Sequence, residues 1–179
     1  MKFAFIAVQE RGQVDRLLEN VARRLIREGA NLAGVVQINA EREGARHCDM
    51  LVQVLPAGAQ FDISQKLGNE FRGCRLDVAA LEEAVAAVEA SLESRPDIDL
   101  LVINKFGKHE AQGRGFRDLI AQMLMRDVPV LLGVNALNRE AFEVFSGGAA
   151  IELSADEDSV YRWCREHCLQ KVQTSKSGN

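Results

Sequence analysis

The sequence predicts a three-layer α/β fold: a mostly parallel sheet with helices on both faces and an inserted β-hairpin. Three observations carry this. Uninterrupted apolar runs of strand length recur along the chain, as expected for strands buried on both faces. Between most of them lie stripes of apolar residues spaced three and four apart, the mark of amphipathic helices. One pair of short runs flanks Pro56-Ala57-Gly58, a turn signal that fits a hairpin better than a crossover.

In chain order, Phe3 to Val8 is the first buried strand. Val14, Leu17, Leu18, Val21, Leu25 and Ile26 mark the first helical face, and Gly29 stops that helix. Leu32 to Ile38 is the next strand, and Met50 to Leu55 with Phe61 to Ile63 form the hairpin. Asp77 caps a helix with the stripe Val78, Leu81, Val85, Val88 and Leu92, which Pro96 ends. Leu100 to Ile103 is a central apolar strand, with Asn104 opening a polar loop. Phe116, Leu119, Ile120 and Met123 form a third helical face, and Val128 to Leu132 another strand. A short helix near Arg139 to Phe145, a short strand near Ala149 to Leu153 and a helix from about Asp156 follow. Right-handed crossovers then place helices on both faces. Residues 1–172 read as one α/β domain and 173–179 as a polar, disordered tail.

Composition agrees with a globular chain: 179 residues, 47% hydrophobic and 27% charged. No stretch approaches the roughly 18 apolar residues of a membrane span, and no signal-peptide cleavage site follows the first apolar run. A soluble, cytoplasmic protein is expected, without membrane insertion. The net charge of −4 disfavours nucleic acid as a partner. The four cysteines, Cys48, Cys74, Cys164 and Cys168, match no strong zinc pattern, even with His47 and His167 nearby. They read as reduced core residues, with no metal site. Oligomeric state is not legible.

Ligands of open α/β sheets bind outside the carboxyl ends of the strands, so the loops there carry the chemistry. The loop after the first strand, Gln9-Glu10-Arg11-Gly12, stands where a P-loop would stand. It has one glycine, no lysine and no Ser or Thr, so it lacks the groups that cradle phosphate and hold magnesium. The loop after the central strand is different. Its fourteen residues, Asn104 to Arg117, carry Lys105, Lys108, Arg114 and Arg117 against Glu110, a local +3 on a chain otherwise at −7. Gly107, Gly113 and Gly115 permit close backbone approach, and Gly115 precedes a helix whose N–H groups favour an anion. Arg72 and Arg75 form a second basic pair ahead of a helix.

Each of these cations alone reads as solvated surface charge. As a set they read as an anion site. His109 has no acid–base partner visible from spacing, and Glu110 reads as orienting a water or a lysine, or neutralising Lys108. Phe71 and Phe106, beside basic residues, are placed either to stack on a base or, more commonly, in the core.

Several strings resemble a bacterial family of uncharacterised proteins often encoded beside molybdate-transport genes. They are Cys48-Asp49-Met50, Ile63-Ser64, Gly73-Cys74-Arg75-Leu76-Asp77 and Asn104-Lys105-Phe106-Gly107-Lys108-x-Glu110-x-x-Gly113-x-Gly115. That family is similar, more distantly, to P-loop nucleoside triphosphatases of the cancer-related type. The resemblance implies a P-loop-like fold with Asn104 at the magnesium-associated Asp position and Lys105 at the catalytic Glu position. Gly107, Lys108 and Glu110 are retained.

The departures imply weakened triphosphate hydrolysis, since Asn holds a metal shell poorly and Lys neither holds it nor activates water. The expected function is binding of a small anion or a nucleotide. Molybdate or a molybdenum-cofactor precursor is the ligand class that the gene neighbourhood favours, and molybdate-related proteins are the associated partners. The sequence requires no cofactor. The ligand set is Asn104, Lys105, Gly107, Lys108, Glu110, Gly113, Arg114, Gly115, Arg72 and Arg75, with no catalytic residue assigned. Two alternatives stay open: a divergent triphosphatase or phosphotransferase using Glu110 or His109, and a protein-interaction module.

Overall fold

A computed structural model describes residues 2–8, 12–38, 50–65 and 76–168. Residues 9–11, His47, Cys48, Asp49, Phe71, Arg72, Gly73, Cys74, Arg75 and the 173–179 tail lie outside the described residues.

Seven strands form one sheet in the order β4-β3-β2-β5-β6-β1-β7. They are β1 (Phe3–Val8), β2 (Leu32–Ile38), β3 (Leu51–Val54), β4 (Gln60–Asp62), β5 (Leu100–Phe106), β6 (Val130–Asn135) and β7 (Ile151–Leu153). The strands β2, β5, β6, β1 and β7 run parallel, while the hairpin β3–β4 adds antiparallel at one edge. The mostly parallel sheet with an inserted hairpin is therefore present as expected.

The helices are α1 (Gln13–Arg27), α2 (Val78–Ser94), α3 (Lys108–Ala111), α4 (Arg117–Met125), α5 (Arg139–Ser146) and α6 (Glu157–Cys168). Asp77 caps α2 as its position predicts, its Oδ1 accepting the N–H of Ala80 at 3.2 Å. Two cores flank the sheet. Leu101 and Ile103 of β5 face one, with α2, α4 and α5 residues such as Val88, Ile120 and Phe142. Leu100 and Val102 face the other, with Leu18 and Leu25 of α1 and Trp163 and Cys164 of α6. This alternation is the period of a strand buried on both faces.

Close packing at the sheet centre depends on Gly34. It sits opposite Val102 at φ +103°, and a Cβ there would stand 1.9 Å from the Val102 carbonyl oxygen.

One expectation changes. Asn104 does not open a loop, because β5 continues to Phe106 with an irregularity in register against β6 between Ile103 and Phe106. Without it, alternation would send Phe106 toward α1. Instead Phe106 is fully buried in the α2–α4–α5 core, at ring-centroid distances of 5.3 and 5.4 Å from Phe142 and Phe145. The same irregularity lets the consecutive residues Asn104 and Lys105 both reach α1, the kind of re-aiming that a bulge produces. A second difference is α3, a single turn that forms inside the segment read as loop.

Candidate functional site

The carboxyl ends of β1, β2, β5 and β6 lie on one edge of the sheet, and the residues singled out from the sequence split there into two groups. The first faces α1. Asp15, in the first turn of that helix, is buried. Its Oδ1 accepts from the Asn104 amide and from the Lys105 ammonium, each at 2.9 Å. Asn104 is buried too, and its own Oδ1 accepts the backbone N–H of Gln37 on β2 at 3.0 Å. Both ends of the amide are thereby satisfied, which removes the cost of burying it. Lys105 differs in exposure: its side chain keeps 35% of its accessible surface while Asp15 keeps 3%. The group thus presents a half-buried lysine side chain at the sheet edge, its ammonium paired to a buried carboxylate.

The second group faces α2. Glu110 is buried, and its carboxylate accepts the N–H of Gly107 at 2.9 Å and of Phe116 at 3.3 Å. It therefore closes α3 and the turn into α4 on one side chain. Burial pushes the Glu110 carboxyl above its ordinary pKa, opposed by these N–H groups. Gly115 supplies the space: at φ +57°, a Cβ there would lie 2.4 Å from the Glu110 Oε1. Its N–H donates to Glu82 of α2 at 3.2 Å, and Glu82 also takes the His109 Nε2 at 3.0 Å. Glu82 is the partner that spacing did not reveal for His109. The amides that the sequence offered to an external anion thus face the protein's own carboxylates.

The remaining cations are spread out. Lys108 is exposed. Arg114 lines an open groove of about 570 Å³ with His109, Gly115, Glu82, Glu89 and Asp118. Gly113 turns the loop at φ +83°. Arg117 donates to the Glu110 carbonyl at 3.3 Å and lies 4.4 Å above the Phe145 ring. So the structure joins Asn104 to Lys105 and Gly107 to Glu110 and Gly115, but sends Lys105 and Arg114 to opposite sides of the sheet.

Asp15 was not among the expected site residues. Its signal is phase: positions 15, 18, 22 and 25 share one helical face, and the other three are Leu, Ala and Leu in the core.

The 3–163 segment matches the model of the family described as a protein of unknown function, DUF2478. The chain belongs to that family. It is also 34% identical over 165 residues to the molybdenum import ATP-binding protein ModC 2 of Bradyrhizobium diazoefficiens. That match covers 92% of this chain but only 18% of the relative, so the chain spans less than a fifth of that protein's length.

Among solved structures, the human cancer-related nucleoside triphosphatase superposes over the whole of both chains, with a TM-score of 0.63 at 14% identity. THEP1 from the hyperthermophile Aquifex aeolicus gives 0.58 at 20% identity, over 88% of this chain and 91% of its own. The chain accordingly shares the fold of these two structures, in line with the fold that the sequence resemblance implied.

Magnesium chemistry in the P-loop triphosphatases that the sequence resembles needs oxygen ligands at the P-loop and at the end of the strand corresponding to β5. The described residues do not fit a magnesium ion at β5. The Asn104 oxygen is spent on Gln37, the next side chain is a cation, and the neighbouring Asp15 oxygen already accepts that cation. Among the described residues there is no group of three His, Cys, Asp or Glu side chains placed to hold a metal. No helix among them is long and apolar enough to cross a membrane.

Proposed function

We propose that the chain is a cytoplasmic binding protein for a small anion or a nucleotide, on a P-loop-like scaffold that no longer hydrolyses triphosphates. One observation carries this reading: the half-exposed Lys105 side chain, its ammonium anchored by Asp15, at the carboxyl edge where ligands of such sheets bind. Lys108, exposed on the loop that follows, adds positive charge, while Arg114 lies on the other side of the sheet. Loss of hydrolysis is supported by the first-loop sequence and by the lysine at the position of a catalytic carboxylate. Glu110 and His109, the residues available as substitutes, are engaged by Gly107, Phe116 and Glu82. A molybdenum connection is favoured by the likeness to part of a molybdenum import ATP-binding protein.

Titration calorimetry with molybdate, tungstate, phosphate and ATP tests the reading. At least one should bind, and Lys105→Ala should weaken it at least about tenfold, the worth of one charge-assisted hydrogen bond. Steady-state assays with ATP or GTP and magnesium should show no turnover above the blank. Absence of binding at millimolar ligand, or binding unchanged in a Lys105→Ala, Lys108→Ala double variant, overturns it.

A further inference from the structure

The mismatch between this edge and a magnesium-dependent site has a chemical reading of its own. In P-loop triphosphatases the charge of a bound triphosphate is balanced by a lysine from the first loop and by a metal held near the strand corresponding to β5. Here the sign of the pieces is exchanged. The cation is on the strand, at Lys105, and the buried carboxylate is on the helix, at Asp15. Asn104 locks the arrangement by donating to the same Asp15 oxygen while accepting from Gln37.

Resting on the anion-binding reading above, we infer that the Lys105 ammonium stands in for the divalent cation, so that the site takes a small mono- or dianion without a metal. Asp15 is the residue that sets this preference. An ammonium has three donors, and the Asp15 bond uses one, leaving others for ligand oxygens on a side chain that is half-exposed. Asp15 also cancels the charge of Lys105, so the pair presents a directed donor with no net positive charge. A compact oxyanion such as molybdate or phosphate matches that. A triphosphate does not, because its several negative charges meet a buried carboxylate with one lysine to offset them. Asp15 thus acts through Lys105, as a positioning and specificity-determining residue.

The experiment is calorimetry on the full chain with molybdate, phosphate and ATP, each in EDTA and again in millimolar magnesium. Wild-type protein should bind molybdate or phosphate equally in both buffers and prefer either to ATP. Asp15→Asn keeps an oxygen for Lys105 and Asn104 but removes the opposing charge. It should tighten oxyanion binding by about tenfold and ATP binding by more, since the gain scales with ligand charge.

Binding that requires magnesium, or a wild-type preference for ATP, overturns the inference. So does an Asp15→Asn variant with unchanged selectivity. If Lys105→Ala still abolishes binding in those cases, the anion-binding reading survives and the metal-free assignment alone fails. If no anion binds at all, both fall. The buffer comparison uses wild-type protein, so it decides the matter even if Asp15→Asn folds poorly.

Discussion

The two sides of the sheet's carboxyl edge handle negative charge in opposite ways. On the α2 side, buried Glu110 and partly exposed Glu82 accept N–H groups of the basic loop, and the outcome is a closed local structure. On the α1 side, one buried carboxylate faces a lysine that is still partly exposed. The sequence places both regions within one short segment, from Asn104 to Gly115. What separates them is whether the donors are consumed. Backbone amides fixed by Glu110 build a turn; an ammonium with donors to spare can meet a ligand. The first side should therefore govern stability and the second should govern binding.

The largest effect that can break this contrast is on the α2 side. Glu110→Ala removes the acceptor for Gly107 and Phe116 and leaves two N–H groups poorly satisfied. At about 1 kcal/mol or more for each, the variant should lose roughly 2 kcal/mol of unfolding free energy by urea denaturation. Oxyanion affinity should change little. A variant as stable as wild type but unable to bind would place Glu110 in the ligand site and erase the contrast.

The pH dependence of the same residue sharpens it. Burial raises the Glu110 pKa, so the folded protein holds this proton more tightly than the unfolded chain. That contribution is fully present below the ordinary glutamate pKa of about 4.3 and fades as pH rises through the raised value. Glu110→Gln cannot titrate. The stability advantage of wild type over Glu110→Gln should accordingly be larger at acid pH and shrink toward neutrality. An advantage that grows with pH would mean that the N–H groups outweigh burial.

Much of the scaffold was legible because its signals are local. The alternation of apolar runs and helical stripes gave the strand and helix order, Asp77 announced its cap, and Pro56-Ala57-Gly58 announced the hairpin. The site was harder for a specific reason. Asn104 and Lys105 read as the start of a loop because a polar pair after an apolar run usually ends a strand. Here β5 continues through them, and a register irregularity against β6, which is distant in sequence, lets Lys105 join Asn104 on the α1 side. Glu82 and Asp15 belong to helices far along the chain from the residues they contact, so spacing could not pair them. Asp15 alone left a trace, as a carboxylate in phase with a buried helical face. The glycines read as places where a ligand comes close to the backbone; at Gly107 and Gly115 the close group is the protein's own Glu110, and at Gly113 nothing lies within 4 Å of where a Cβ would stand.

The smallest effect on stability should come from Lys105, and it tests the contrast from the other side. Its pair with Asp15 is half-exposed on the lysine end, where solvent screens the attraction and ordering a long side chain costs entropy. Against that, Lys105→Ala leaves the buried Asp15 carboxylate with the Asn104 amide as a remaining donor. The two considerations put the loss of unfolding free energy at about 1 kcal/mol or less. Binding of an oxyanion should fall by about tenfold or more in the same variant. Measured side by side, Lys105→Ala and Glu110→Ala should therefore cross over, one costing affinity and the other stability. If Lys105→Ala instead destabilises the fold as much as Glu110→Ala does and leaves affinity intact, the Asp15–Asn104–Lys105 group is a structural lock like its counterpart on the α2 side. The ligand would then have to be sought in the groove beside Arg114.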